Sequence, residues 1–272
     1  MEKVLVCLDG CELSKAVCDY GMFIAKKLDL PLVLLNVVKH SHLTKKIDLS
    51  GNIGLGSRER LLDELSNEEM NESKELIAKG KTILKEMQAY IESQNFPNCT
   101  TLQRHGTLYE TLDALSYELK IAIVSINGED REELIRTLNI PILLVNSEFK
   151  PIESILMAYD GSEYAIKAIN IAKQNPIFPN VKRYIVNVEK DFNFSNKLLD
   201  EAKSLFVNVG IEVETESLSG ERVDAILKYQ EKNNLDIIAM GAYSHNRFKS
   251  AIFGSFTTKM LLNAKKPLLL FR

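Results

Sequence analysis

Near the C-terminus of this 272-residue chain, Met240-Gly241 closes an apolar run, and Gly254-Ser255 follows thirteen residues after Gly241, just ahead of an apolar helical stretch through Leu262. Those residue types at that spacing suit an anion. A parallel sheet presents ligands at the carboxyl ends of its strands, where free backbone N–H groups and the positive end of a helix hold phosphate. Gly241 lets a phosphate approach the chain as it leaves the strand, while Gly254-Ser255 offers N–H groups and a hydroxyl at the start of the helix. His245, Arg247 and Lys249 lie between them, and they read either as electrostatic help or as a solvated basic loop.

The first half lacks this arrangement. Ser125 stands where Gly241 does, Asn127-Gly128-Glu129-Asp130 follows, and Pro141 comes 16 residues after Ser125, against 26 from Gly241 to Pro267. The glycine-rich stretch from Gly51 to Ser57 does not directly follow a strand and lacks both phosphate-loop spacings, so it reads as a loop. Cys7, Cys11 and Cys18 lack the paired spacing of a metal cluster, and with Cys99 they make a poor disulfide framework. His40 and His42 make only a weak pair, and His105 reads as a surface or hydrogen-bonded histidine; no metal site is expected. No P-loop lysine, nucleophile elbow or zinc-protease helix can be assembled, so no catalytic residue is assigned.

The elements that must position these residues come as a repeat. Val4 to Glu12 lines up with Ile155 to Glu163, 151 residues later, each an apolar run ending in Asp-Gly-x-Glu and followed by a helical stretch, Ser14 to Leu28 or Glu163 to Gln174. The next apolar runs keep the register, since Asp9 to Asn36 and Asp160 to Asn187 both span 27 residues. Each half then offers a helix, a strand closing at Gly106 or Gly220, another helix, a fourth strand (Ile121 to Ile126; Asp236 to Met240) and a fifth opening at Pro141 or Pro267. Near-continuous apolar strands alternating with helices predict parallel sheets covered on both faces. The expectation is α/β: two tandem doubly wound, Rossmann-like parallel-sheet domains, residues 1–148 and 149–272, packed as an intramolecular pseudo-dimer. The first carries an enlarged insertion over about 39–75, loop-like through Ser57 and then helical to about Glu92.

Composition limits the partners. With 34 Lys+Arg against 37 Asp+Glu, the net charge of −3 gives no basic footprint for nucleic acid. No run of about 18 apolar residues suggests a membrane span, and the N-terminus enters a strand at once, so a cytoplasmic location is the expectation.

The strand-Asp-Gly-Ser-Glu opening at Asp160 to Glu163, with a glycine pattern ahead of the last helix, resembles the universal stress protein family in its tandem form. The resemblance covers nearly the whole chain outside the insertion and is more specific in the second half. It implies an adenine nucleotide alpha hydrolase-like fold and, in ATP-binding members, a nucleoside near the ends of the first two strands with the triphosphate on the glycine loop. Carried over, Ala158, Asp160 and Val188 would line the nucleoside, with Asp160 near the ribose or the metal-associated phosphates. Met240, Gly241, Ser244, Gly254, Ser255 and Phe256 would complete the phosphate side. Core packing is the competing reading for Ala158, Val188, Met240 and Phe256. The family's second loop glycine is Ser244 here; a non-glycine residue held left-handed costs about 1–2 kcal/mol, and about 1.4 kcal/mol is tenfold in affinity.

The implied ligand is ATP, with Mg²⁺, or AMP or another adenine nucleotide, bound by a stress-response module with an unknown protein partner. The chain would be a monomer with a pseudo-two-fold or a homodimer. The alternatives are a nucleotide-independent interaction module with a degenerate site, or a slow ATPase. Because the first half lacks the loop, an ATP titration is expected to find at most one site per chain; two sites of similar affinity would contradict this.

Overall fold

The computed structural model describes residues 2–39, 55–127, 134–135, 140–174, 177–241 and 255–271, with the side chains of 55–69 and 255 outside that description. The first half runs β1 (Lys3–Cys7), α1 (Ser14–Leu28), β2 (Leu32–Val38), α2 (Leu55–Ser93), β3 (Cys99–His105), α3 (Leu108–Leu115), β4 (Leu119–Ser125) and β5 (Ile142–Val145). The second runs β6 (Ser154–Ala158), α4 (Glu163–Gln174), β7 (Lys182–Val188), α5 (Phe192–Val207), β8 (Glu214–Leu218), α6 (Arg222–Lys232), β9 (Ile237–Gly241), α7 (Ser255–Asn263) and β10 (Leu268–Phe271). Among the described residues no helix is long and apolar enough to cross a membrane.

All ten strands form one sheet in the order β3-β2-β1-β4-β5-β10-β9-β6-β7-β8. Pairing is parallel within each half, and β5 meets β10 antiparallel. Leu143 faces Leu269, flanked by Leu144 opposite Leu268 and Ile142 opposite Leu270. The two fifth strands correspond residue for residue when Pro141 is laid on Pro267, so a pseudo-two-fold passes through the Leu143–Leu269 pair. The pseudo-dimer expected from the sequence is therefore joined edge to edge. One consequence is directional: the two halves' strands run opposite ways, and their carboxyl ends lie at opposite edges of the sheet.

Alternation along the strands builds two cores. Val6, Leu143, Met157 and Leu269 face α1, α2, α4 and α5, whereas Leu5, Leu144, Leu156 and Leu270 face α3, α6 and α7. Each core is continuous across the β5–β10 seam, as a doubly wound sheet with helices on both faces requires. The connection between the halves is tied to both of them. Asn146 donates from Nδ2 to the carbonyls of Ala264 (2.7 Å) and Lys266 (3.0 Å). Phe149 packs edge-on against Tyr20, at 4.9 Å between ring centroids, and the Tyr20 hydroxyl accepts from Lys150 N–H at 3.3 Å.

The helices over corresponding strands differ in length. α2 has 39 residues and α5 has 16. Their C-terminal parts match: Ile91 and Phe206 are both fully buried, and each carbonyl accepts from a residue five positions on, Phe96 or Ile211. The added length of α2 lies on its N-terminal side. Residues 40–54, which include His40, His42 and most of the Gly51-to-Ser57 stretch, lie outside the described residues.

Leu143 and Leu269 are almost fully buried. Leu143→Ala or Leu269→Ala is expected to cost about 2–5 kcal/mol in urea unfolding, with a double mutant short of additive because the two side chains share one site. Phe192→Ser, on the exposed start of α5, is expected to stay within about 0.5 kcal/mol. Equal effects at the seam and at Phe192 would contradict the architecture.

Candidate functional site

Strand order reverses direction beside β1 in the first half and beside β6 in the second, since the chain winds out to β2–β3 or β7–β8 and returns on the other side to β4 or β9. Such switch points leave a crevice at the carboxyl ends of the strands. Asp9 and Asp160 follow β1 and β6 into these crevices.

Both aspartates are held alike. Asp160 Oδ1 accepts from Ser162 N–H at 3.0 Å, and Asp9 Oδ1 accepts from Cys11 N–H at 3.0 Å, each closing an Asx turn. The turn needs a left-handed residue in its middle, and Gly161 (φ 73°) and Gly10 (φ 79°) supply it. Leu198 of α5 and Ile83 of α2 pack under these glycines, 3.0 and 2.6 Å from where a Cβ would sit. The 27-residue spacing also has a physical cause. Asn187 donates from Nδ2 to the carbonyl of Tyr159 at 2.8 Å, and Asn36 donates to that of Leu8 at 2.9 Å, so each second strand pins the residue before the aspartate.

In the second half the structure brings several of the expected residues together. Ala158 pairs with Met240 across β6 and β9, and Ala158, Val188, Met240 and Phe256 belong to one apolar cluster. Met240 is 2% exposed and Val188 9%, so both contribute largely as packed walls. Gly241 ends β9 beside α4; a Cβ there would lie 2.9 Å from Tyr164 Cβ and 3.2 Å from Ala165 N. Its lack of a side chain thus serves close helix–strand packing, a requirement the phosphate argument did not include. Ser162 adds a cap, its hydroxyl accepting from Ala165 N–H at 3.3 Å. Ser255 is the first residue of α7. Ser244 and Gly254 lie outside the described residues, as do His245, Arg247 and Lys249.

The first half holds a feature that loop spacing did not reveal. A cleft of about 450 Å³ opens at its switch point, bounded by the ends of β1, β2 and β4 and walled by α2 through Leu76, Lys79, Gly80 and Ile83. Gly80 leaves room for the Asn36 carboxamide against the helix. Asn36 Oδ1 accepts from Gln103 Nε2 at 3.3 Å, and the same amide donates to the Ile77 carbonyl at 3.1 Å. The second half differs at this point: Ser217 replaces Gln103 in register, donates to Ser195 instead (2.7 Å), and leaves Asn187 Oδ1 buried without a partner. The sequence signal for the cleft was present in Asp9-Gly10 and its spacing to Asn36.

The four cysteines are free thiols. Burial, with Asp9 adding to it, pushes the Cys7 thiol up to about 12. Burial does the same for Cys18, helped by Asp19, and takes Cys99 to about 11. Cys11 is raised chiefly by burial, and its Sγ donates to Ser125 Oγ at 3.3 Å. Among the described residues no group of three His, Cys, Asp or Glu side chains is placed to hold a metal ion.

The universal stress protein family model matches residues 1–123 and 189–272. The universal stress protein Slr1230 of Synechocystis is 27% identical over the full length of both chains. A universal stress protein structure from Archaeoglobus fulgidus superposes with a TM-score of 0.72 at 19% identity, covering 99% of this chain and 98% of its own. Another from Archaeoglobus fulgidus, in complex with dAMP, matches 44% of this chain and 97% of its own at 22% identity and a TM-score of 0.37.

The thiol environments predict a pH response. An unfolded thiol ionises near its ordinary 9.0, whereas folded Cys7 and Cys18 hold their protons to about 12. Their contribution to stability is therefore complete below about pH 9 and is lost as the pH climbs toward 12. Labelling of the native chain with a thiol reagent at pH 8 is expected to reach Cys11 first and slowly, with Cys7 and Cys18 reacting only in denaturant. Rapid native labelling of Cys7 would contradict this.

Proposed function

Because the chain belongs to the universal stress protein family, we propose that its second half binds an adenine nucleotide, ATP or a close relative with Mg²⁺ accompanying a triphosphate, and that the first half serves assembly or partner contact. The observation that carries the reading is the placement of Asp160. Its carboxylate stands at the β6/β9 switch point on a turn fixed by Gly161, Ser162 and Asn187, beside the end of β9 at Gly241. An acidic side chain in such a crevice accepts hydrogen bonds from ribose hydroxyls.

The apolar group formed by Ala158, Val188, Met240 and Phe256 supplies a surface against which a flat base packs. The phosphates would follow the chain from Gly241 toward Gly254 and Ser255, where the start of α7 provides the positive end of a helix. Chemistry on the nucleotide is not required by this reading. The work of such a module is a change of state on binding, communicated to a partner.

One observation favours a second contribution. α2, with 39 residues, is more than twice as long as α5, with 16. A partner contact carried by this helix fits the interaction-module alternative and is compatible with nucleotide binding.

Calorimetric titration with ATP and Mg²⁺ is expected to give saturable binding at about one site per chain. Asp160→Asn keeps an acceptor for Ser162 N–H while removing the charge, and is expected to weaken ATP at least tenfold, about 1.4 kcal/mol, with the unfolding midpoint little changed. Absence of saturable heat from the folded chain would contradict the proposal.

A further inference from the structure

One interior position differs sharply between the halves. Arg183 pairs with Ile155 where Leu32 pairs with Val4, and the turns ahead of them match, with Asn180 and Asp29 both left-handed. Leu32 is fully buried and Arg183 is 8% exposed, so the same place in the sheet holds a hydrocarbon in one half and a cation in the other. The scaffold itself therefore needs no charge here, and a buried charge is costly unless an anion meets it. The partners that Arg183 does have are neutral: Nη1 donates to the Val181 carbonyl at 2.9 Å and Nη2 to the Phe178 carbonyl at 3.0 Å. It forms no ion pair with a carboxylate among the described residues.

We propose that Arg183 anchors a ligand site at the amino-terminal edge of the second half's strands, and that the site takes a small organic acid, one carboxylate on a short apolar body. A cleft of about 750 Å³ opens there, between the start of β7, the chain leading into β8 and the end of α5, and Arg183 lines it. That volume lies within the range of small-molecule sites. A guanidinium has five N–H donors in a planar fork that matches a carboxylate. Arg183 spends two of them on the two carbonyls, leaving three without a partner among the described residues. Lys182 and Lys203 stand exposed in the same lining and form no ion pair among the described residues. Val207 and Ile211 offer apolar surface to the body of the ligand.

The acidic groups nearby limit the charge of the ligand without cancelling the site. Glu214 accepts from the Tyr184 hydroxyl, and Tyr184 belongs to the opposite core of the sheet from Ile185, whose face Arg183 shares. Glu212 is exposed in the lining and favours a single carboxylate over a multiply charged anion. The end of α5 carries partial negative charge, but its Phe206 and Val207 carbonyls already accept from Val209, Gly210 and Ile211 N–H, and Lys203 stands one turn back. Burial pulls the Arg183 guanidinium below the ordinary arginine range, an effect that a carboxylate in contact opposes. Asp160 follows the far end of β6, so the site lies at the other edge of the sheet from the proposed nucleotide crevice and stands or falls separately from it.

Hexanoate is the probe, with hexanamide as its uncharged counterpart and inorganic phosphate as an anion of another class. Each is titrated into the full chain and followed by the amide resonances of residues 180–183 and 210–214. The expected result is saturable movement of these resonances with hexanoate, and affinities at least tenfold weaker for hexanamide and for phosphate. Arg183→Leu installs the residue that the first half buries at this position, and is expected to weaken hexanoate at least tenfold in a chain that keeps its circular dichroism spectrum. Lys203→Glu, on the exposed surface, tests the same field without touching the interior and is expected to weaken hexanoate at least threefold, which decides the matter if Arg183→Leu fails to fold. No saturable hexanoate binding, hexanamide or phosphate as tight as hexanoate, or indifference of the folded variants would overturn the proposal.

Discussion

The antiparallel pairing of β5 with β10 is the interaction on which the rest of the molecule depends. Each half alone would end in a short strand whose four residues are all buried, Ile142 to Val145 or Leu268 to Phe271. An edge of that kind is a template for association. By pairing the two within one chain, the protein satisfies both ladders, fuses two half-cores on each face of the sheet, and sets the pseudo-two-fold at Leu143–Leu269. The opposed direction of the two halves, and hence the separation of their switch points, follows from this one pairing.

Within that frame the halves keep the same local device and differ in what surrounds it. The device is an aspartate on an Asx turn, a glycine in the left-handed region, and an asparagine 27 residues on that clamps the preceding carbonyl. In the first half the turn is overhung by a longer helix, and Ser125 replaces the glycine at the end of β9's counterpart. There Cys11 and Asn127 both bond to the serine hydroxyl. In the second half Gly241 admits α4 close to the sheet, and the chain runs on to a helix opening at Ser255. One scaffold thus presents two crevices with different donors and acceptors.

Much of the fold was legible because its signals are local and repeated. The limits of α1 and α4, Ser14–Leu28 and Glu163–Gln174, coincide with the helical stretches read from the residues, and strand boundaries moved by one or two positions, as at β4. Both halves end in an apolar strand that opens with proline, and the structure pairs these two strands with each other. Other features depend on contacts distant in sequence. The packing demand on Gly241 arises from Tyr164 and Ala165, and the cleft beside Asp9 exists because α2 returns over β2 and β3 carrying Gly80 and Ile83. The missing glycine loop of the first half spoke only to phosphate, and it gave no sign of the cleft that α2 walls there.

The central claim is that two related halves, joined edge to edge through one strand pair, carry unequal crevices, of which the second is the one proposed to take the nucleotide. Hydrogen exchange followed by mass spectrometry, on the full chain with and without saturating ATP and Mg²⁺, tests it most directly. The account predicts slowed exchange around residues 158–162 and 240–256, with residues 7–11 and 125–127 unchanged. Protection of the first-half segments to the same degree, or no protection in the second half, would contradict it.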